Sequence, residues 1–451
     1  MNKEIFREYD IRGIAGKDIS VEEVALLGRA IGTFMHHNGC RHLVVGRDCR
    51  ISSDDFANAL MDGLVATGCQ VTDIGVCPTP VLYFSIQHLH QEGGIMVTAS
   101  HNPKEYNGFK ICIGSDSVHG RDLQTIREIL LSGRFKQGEG ARTASSSVIP
   151  QYQQFVEDNI ILSRSLKVGV DAGNGTAGVV AVPILKNLNC EVYDLHCEMD
   201  GNFPNHEADP TVLANMQDLI SLVKQHELDV GIGYDGDGDR IGVVDEKGNI
   251  VYGDKLMVLF AREILSRRPG AVFISEVKCS QTMYEDIERH GGRAVMWKTG
   301  HSLIKAKMKA ERAALAGEMS GHMFFEDRYL GFDDAIYASC RLLEILSATG
   351  RRISDLLSDL PHTYTTPEIR VDCPDDRKFR LVEMVTRFFK ARYRVIDIDG
   401  ARILFDDGWG LVRASNTQPA LVLRFEALSQ KRLDEIRRLV ESVIQEMERG
   451  S

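Results

Sequence analysis

The sequence has no excess of positive charge, no long apolar run and no closely paired cysteines, and each absence removes a class of function. Its 53 lysines and arginines are outnumbered by 64 aspartates and glutamates, a formal net charge of −11. An acidic surface is the wrong sign for nonspecific binding to nucleic acid or anionic lipid, although it leaves room for a local basic pocket. The longest apolar run, about seven residues over Val179–Leu185 and interrupted by Pro183, falls far short of the ~20 needed to span a bilayer. The opening Met1-Asn2-Lys3-Glu4-Ile5-Phe6-Arg7 lacks the apolar core of a signal peptide. The 10 cysteines include no Cys-x-x-Cys pair, which excludes a zinc knuckle and a dithiol redox motif. The expectation is a cytoplasmic enzyme with reduced thiols and with neither a nucleic-acid nor a membrane partner.

A chain of 451 residues exceeds what one hydrophobic core usually supports, so several domains are expected. One pattern occurs three times: an apolar strand, a polar turn, a helix, a short break and a second strand. The first copy runs from His42-Leu43-Val44-Val45 to Val71-Thr72-Asp73-Ile74, the second from Lys167–Asp171 to Val192–Leu195, the third from Val272–Val277 to Ala294–Trp297. Strands alternating with helices imply right-handed crossovers and mostly parallel sheets. After each copy comes a further strand that ends in a polar loop: Thr98-Ala99-Ser100-His101-Asn102-Pro103, then Asp235-Gly236-Asp237-Gly238-Asp239-Arg240, then Gly317-Glu318-Met319-Ser320-Gly321-His322. Ligands of open α/β sheets bind outside the carboxyl ends of strands, so three such loops suggest three domains facing one cleft. The loosest stretch, Gln137–Ser147, reads as a linker. From about Thr363 short strands surround two helices, the texture of an α+β domain, which carries its own polar loop, Arg413-Ala414-Ser415-Asn416-Thr417-Gln418-Pro419.

Asp235, Asp237 and Asp239, spaced by glycines just past a strand, can wrap three hard oxygen ligands around one Mg²⁺; the plain alternative is a solvated acidic turn. An EF-hand is excluded because its sixth position needs glycine and this chain has Arg240 there. Ser100 is a candidate nucleophile with His101 beside it and Lys110 a short hairpin away, and Pro103 is expected to keep it exposed at a loop tip. An ordinary capping serine in a turn fits the same residues. The loop is not Gly-x-Ser-x-Gly, which argues against an α/β-hydrolase elbow. Gly173-Asn174-Gly175-Thr176-Ala177-Gly178 matches a dinucleotide fingerprint, with Asp194 about twenty residues on, yet glycines at such a turn often serve packing alone. Arg413, Ser415, Asn416 and Thr417 could grip a phosphate dianion or form a plain polar turn. Tyr9 and Arg12 could reach a phosphate on the serine domain, and Lys278, Lys298 and His301 lie near third-domain strand ends, where ligand contact and simple solvation are both open.

Taken in order from Tyr9 to Pro419, these loops make the chain resemble the α-D-phosphohexomutase family, and most closely its bacterial phosphomannomutase/phosphoglucomutase branch. The resemblance implies an α/β fold of four domains around a central cleft: a phosphoserine domain over 1–146, a metal-binding domain over 147–249, a sugar-binding domain over 250–361 and a C-terminal phosphate-binding α+β domain over 362–451. It implies phosphorylated Ser100, Mg²⁺ held by Asp235, Asp237, Asp239 and the serine phosphate, and Arg240 and Lys110 flanking the phosphoryl group. Glu318 and Ser320 would hold sugar hydroxyls with His322 nearby, and Arg413, Ser415, Asn416 and Thr417 the distal phosphate. The implied reaction moves a phosphoryl group between O1 and O6 of a mannose or glucose phosphate through a hexose 1,6-bisphosphate, and glucose 1,6-bisphosphate would prime the enzyme. His101, Lys110 and His322 stand as alternative general bases, and a monomer is expected. Gly238 and Met319 depart from the Ala and Gln usual in the glucosamine branch, which leaves a phosphoglucosamine mutase as the alternative, with a metal-dependent sugar phosphatase behind it. Phosphoserine, three aspartates and Mg²⁺ sum to roughly −3, so Arg240, Lys110, Lys278 and Arg413 are needed before a sugar phosphate could approach.

Overall fold

The computed structural model describes residues 5–416 and 418–449. Thr417, expected in the distal phosphate grip, lies outside the described residues. Four sheets follow one another along the chain. In the first, Gly93–Val97, His42–Arg47, Gln70–Val76 and Ala141–Ala144 run parallel, and Tyr106–Ile113 and Ile11–Ile14 close one side antiparallel. In the second, Val230–Tyr234, Lys167–Asp171 and Glu191–Leu195 are parallel and Ile241–Asp245 returns antiparallel. The third places Val272–Glu276 between Arg293–Trp297 and Leu315–Gly317, with Met323–Phe325 returning antiparallel. The fourth is wholly antiparallel, built around Ala420–Ala427 and Gly408–Ala414, and is backed by the helices Asp375–Lys390 and Gln430–Arg449.

The first three sheets share one device. A parallel strand turns at its carboxyl end into an antiparallel hairpin, and the hairpin loop holds the polar residues: 98–105 between Gly93–Val97 and Tyr106–Ile113, 235–240 between Val230–Tyr234 and Ile241–Asp245, 318–322 between Leu315–Gly317 and Met323–Phe325. The pairing fixes both ends of each loop, so the loops stand on rigid bases.

Burial explains how the domains are joined. Along His42–Arg47, Leu43 and Val45 enter a core confined to the first domain, while Val44 enters a second core that runs on through the second and third. Alternation along a strand sends successive side chains to opposite faces. One continuous core therefore welds three domains, and each fully buried Val, Leu or Ile in it contributes roughly 1.5–3 kcal/mol. The fourth domain has its own core and meets the third through a small cluster of Val277, Trp409 and Leu411.

Two expectations need correction. The 137–147 stretch is not wholly a linker, because Ala141–Ala144 extends the first sheet by parallel pairing with Gln70–Asp73. Its four residues are all exposed, so no apolar alternation marked it as a strand. Ser100 is not at an exposed tip; it is 2% accessible, because the aspartate loop of the second domain packs over it. Among the described residues no helix is long and apolar enough to cross a membrane.

Candidate active site

Ser100 takes a left-handed backbone, φ 51°, and its amide donates to Thr98 Oγ1 at 2.9 Å. Its Oγ lies 2.7 Å from Asp235 Oδ2 and 3.1 Å from His101 Nδ1. The first contact crosses from the first domain to the second. Gly236 makes it possible: a Cβ there would sit 2.5 Å from the Ser100 carbonyl oxygen. Asp235 is itself oriented, its Oδ1 accepting from the amides of Asp239 and Arg240 at 3.0 Å.

Asp235, Asp237 and Asp239 are fully buried, and one carboxylate oxygen of each lies within 4.8 Å of the others. Three buried carboxylates cannot stay charged alone. Lys110, on the strand Tyr106–Ile113, supplies cationic compensation: Nζ donates to Asp237 Oδ2 at 2.6 Å and also to Asp239. Burial works against the Lys110 ammonium, but Asp237 and Asp239 outweigh it and hold its pKa above the ordinary lysine value. Burial likewise raises Asp237, yet Lys110, aided by the Thr79 hydroxyl at 2.5 Å, brings it below the usual carboxylate range. Asp235 goes the other way, pushed up by burial and then by its two acidic neighbours. Asp237 Oδ1 and Asp239 Oδ1 are buried without a hydrogen-bond partner. Two orphan hard oxygens beside a third carboxylate and a serine oxygen fit a divalent cation with oxygen preference.

Basic groups ring this cluster. Arg240 Nε donates to His322 Nε2 at 3.0 Å and lies 3.9 Å from Asp235 Oδ2. His322 stacks on His301 at 5.5 Å between ring centres, and its Nδ1 is 3.1 Å from Asp333 Oδ2. His101 is held well below the ordinary histidine range by burial and then by Arg240 and Arg12, so its ring is neutral at pH 7. Arg12 donates to Asn102 Oδ1 at 2.7 Å within the serine loop.

Across the cleft a second group of residues assembles. Glu318 accepts from the Gly300 amide at 2.8 Å through Oε1 and from the Ser320 hydroxyl at 3.1 Å through Oε2. Lys278 pairs with Glu368 at 3.1 Å, which ties the third domain to the fourth. Arg413 is buried and donates to Asp399 Oδ2 at 3.0 Å, which also accepts from the Thr299 amide. The Ser415 hydroxyl accepts from the Gln418 amide at 3.1 Å. Tyr9 bridges three domains, donating to the Thr299 carbonyl at 2.9 Å and accepting from Asn416 Nδ2 at 2.7 Å. Gly300 must be glycine there, with φ 131° and the Tyr9 ring where a Cβ would stand. Lys298, by contrast, is exposed.

Several residues at the site escaped the sequence reading. Arg50 is 3% accessible and donates to four carbonyls of the serine loop: Ser100 at 2.8 Å, Asn102 at 2.6 Å, Pro103 at 2.7 Å and Tyr106 at 3.1 Å. It follows the carboxyl end of His42–Arg47, so the strand-end rule that found the other loops pointed here too. Glu276, fully buried, accepts from Thr299 Oγ1 at 2.6 Å and from the Met319 amide at 3.2 Å. Asp333 and Asp399 carry no local signal beyond being acidic in a turn. The glycine-rich turn at 173–178 proves to be packing: a Cβ on Gly175 would meet the Gly236 backbone at 2.6 Å, and the Thr176 amide donates to the Gly236 carbonyl at 3.0 Å. It buttresses the aspartate loop.

Comparison with known proteins bears on the same loops. Residues 3–137, 150–248 and 252–364 match phosphoglucomutase/phosphomannomutase α/β/α domains I, II and III, and residues 368–442 match the C-terminal domain of that family. A phosphomannomutase/phosphoglucomutase of Pseudomonas aeruginosa is 46% identical over 434 residues, 96% of this chain and 94% of that one. A phosphoglucomutase of Neisseria gonorrhoeae is 41% identical over 99% of this chain and 97% of its own. The crystal structure of a phosphoglucomutase/phosphomannomutase family protein from Burkholderia thailandensis superposes with a TM-score of 0.94 at 41% identity, covering 100% of this chain and 99% of that one. With all four domains matched in order, and a relative 46% identical over 96% of this chain, the chain belongs to the phosphoglucomutase/phosphomannomutase family.

Proposed function

We propose that the protein interconverts hexose 1-phosphates and hexose 6-phosphates of glucose and mannose, using Ser100 as the phosphoryl carrier. The observation that carries this is the Ser100 hydroxyl held 2.7 Å from one of three clustered aspartates, with Lys110 and Arg240 beside it. Asp235, Asp237 and Asp239, together with the serine phosphate, would hold Mg²⁺, whose charge when bound draws electron density from the transferring phosphoryl group.

The residues divide the remaining work. As a sugar hydroxyl oxygen bonds to the phosphorus of phosphoSer100, the Ser100 Oγ–P bond breaks, and the hydroxyl proton passes by way of a neighbouring base to Ser100 Oγ, which is left as a hydroxyl. In the return step the Ser100 hydroxyl proton has His101 Nδ1 within 3.1 Å to receive it. Arg240 and Lys110 offset the growing charge on phosphoryl oxygens. The other phosphate of the 1,6-bisphosphate rests on Arg413, Ser415, Asn416 and Thr417, with Lys278 and Tyr9 near and Arg12 beside the serine loop. Glucose 1,6-bisphosphate would restore enzyme that has lost its phosphate. Domains over 1–146, 147–249, 250–361 and 362–451 each lend one loop, in a cytoplasmic monomer.

The sugar must turn end for end between the two transfers. A pocket tight around O2, the hydroxyl whose orientation distinguishes glucose from mannose, would fit one orientation and clash in the other. Contacts from Glu318 and Ser320 to O3 and O4, near the middle of the ring, survive the turn. Both sugars should then be accepted with kcat/KM within ~10²-fold of each other, because only a site built to read O2 reaches ~10⁴-fold. The test is conversion of glucose 1-phosphate and mannose 1-phosphate in Mg²⁺, followed by coupled assay of the 6-phosphates and of free phosphate. Release of phosphate without 6-phosphate would make the protein a phosphatase and overturn the proposal.

A further inference from the structure

A second cluster of ligating side chains lies in the second domain, apart from the three aspartates. Asp171 closes the strand Lys167–Asp171, and His196 and His206 sit on the loop that leaves the neighbouring strand Glu191–Leu195. One potential ligand atom from each lies within 4.8 Å of the other two. We propose that these three side chains form a metal site that takes a zinc-class divalent cation.

The hydrogen bonding around His206 gives the first argument. Its Nδ1 is 2.9 Å from the Glu207 carbonyl oxygen, which can only accept, so Nδ1 carries the proton. In a neutral ring Nε2 is then a lone pair, and it faces Asp171 Oδ2 at 3.1 Å. Two acceptors at that distance repel unless a cation lies between or beside them. A ring nitrogen that donates to a backbone carbonyl, leaving the other ring nitrogen free to ligate, is the outer arrangement that metal-bound histidines adopt. Asp171 is ordered in the same way, its Oδ1 accepting from the Gly173 amide at 2.9 Å.

A proton on His206 would satisfy that pair alone, and the second imidazole is what favours a metal. His196 lies edge-on to His206 at 5.3 Å between centres, and its Nε2 is buried without a hydrogen-bond partner. Asp218 Oδ2 is 3.5 Å from that nitrogen and adds negative potential. His196 also adopts φ 47°, a conformation that costs a histidine energy and that the surrounding loop imposes. Ligand atoms around tetrahedral zinc lie about 3.4 Å apart, so side-chain rotation closes the site without moving the sheet.

The donor set separates the two metals. Two imidazoles and one carboxylate suit zinc and its neighbours, whereas three carboxylates suit Mg²⁺. Position suggests the use of the site. The 196–208 loop carries the Ala208 carbonyl, which accepts from the Gly236 amide at 3.1 Å, and Gly201 pairs with Arg50, the clamp of the serine loop. A cation joining Asp171 to two points of this loop staples the support of both catalytic loops to the sheet.

The test is metal content and stability, with Mg²⁺ in large excess so that the aspartates stay saturated. Chelator-stripped enzyme given Zn²⁺ and gel-filtered should retain one equivalent by elemental analysis. The His196→Ala/His206→Ala double variant should lose it and Asp237→Ala should keep it. Co²⁺ should give intense visible d–d absorption in the unsubstituted enzyme and not in the double variant. Zn²⁺ at ~100 times its Kd should raise the Tm of the unsubstituted enzyme by about 3 °C. Should the double variant fail to fold, His196→Gln alone must abolish the cobalt spectrum and the zinc-dependent Tm shift. Equal zinc in the unsubstituted enzyme and a folded histidine variant, or zinc lost on Asp237→Ala instead, would overturn the proposal.

Discussion

Ser100 holds a left-handed backbone that costs a serine on the order of 1 kcal/mol and that glycine adopts freely. Ser100→Ala and Ser100→Gly should both lose turnover by ~10³-fold or more, because no other hydroxyl can replace an attacking oxygen held in that place. The glycine variant should melt no lower than the alanine variant, since it relieves the backbone strain. Kinetics and thermal melts of the pair check both statements, and alanine activity within tenfold of normal would remove Ser100 as the carrier. Arg50 poses a different case. Its guanidinium meets four loop carbonyls and Asp48, a fork that the single ammonium of lysine cannot reproduce. Arg50→Lys should cost about 2–4 kcal/mol of stability and ~10²-fold in kcat, because the loop it frees carries the proposed phosphoryl carrier. A variant with normal kcat and lowered Tm would reduce Arg50 to a stabilising residue. The contrast shows what a sequence can reveal. The clustering of Asp235, Asp237 and Asp239 was legible because it follows from their own spacing. Arg50 was not, because its role depends on carbonyls about fifty residues away, and Ser100 was misjudged as exposed because its cover comes from another domain.

At the level of elements, strands were legible wherever apolar residues ran together or alternated, as in Lys167–Asp171, whose bounds the structure reproduces. Ala141–Ala144 was missed because an exposed edge strand takes its stability from backbone pairing, which leaves no apolar signature. The contact between the third domain and the strand Ile369–Asp372 was equally invisible, since it joins Lys278 to Glu368 just before that strand. Lys278, and after it Arg370, holds the Glu368 carboxyl down to about 2 from its ordinary 4.5. A carboxyl depressed in the folded state contributes stability above its unfolded pKa and loses it as pH falls. The pair should therefore contribute about 2 kcal/mol above pH 4.5, allowing for the partial exposure of Glu368, and fade between pH 4.5 and 2. Denaturant melts of Glu368→Gln beside the unsubstituted protein should show a gap that narrows through that window. A gap constant from pH 7 to 3 would show that the contact is not ionic.

Over the whole molecule, three domains share one core while the fourth has its own and touches the third through one small apolar cluster and a few polar side chains. Such a division makes the fourth domain the part that can swing, because moving it exposes little apolar surface. The Tyr9 hydroxyl fastens it, lying between the Thr299 carbonyl and Asn416 and so holding the first, third and fourth domains together over the cleft. Burial raises the Tyr9 pKa well beyond the ordinary phenol value, so this contact keeps its proton at any working pH. The proposed cycle places contrary demands on the fastening. The bisphosphate has to turn around, which needs the fourth domain to release its phosphate. It must also not diffuse away, because escape leaves Ser100 without a phosphate and the enzyme idle. The two hydrogen bonds at Tyr9, worth about 1 kcal/mol each, set that balance. Tyr9→Phe removes both while keeping the ring against Gly300 and His301. It should raise the fraction of turnovers ending in escape by roughly thirtyfold, the factor that the ~2 kcal/mol of two such bonds represents. Steady-state turnover should then decay unless glucose 1,6-bisphosphate is supplied, and saturating bisphosphate should restore kcat to within about twofold, since no group at the phosphorus has changed. Intact-mass spectrometry during turnover should find Ser100 mostly unphosphorylated in the variant and mostly phosphorylated in the unsubstituted enzyme. A kcat loss that bisphosphate does not repair would instead place the Tyr9 hydroxyl in the chemistry and leave the closing of the cleft to other contacts.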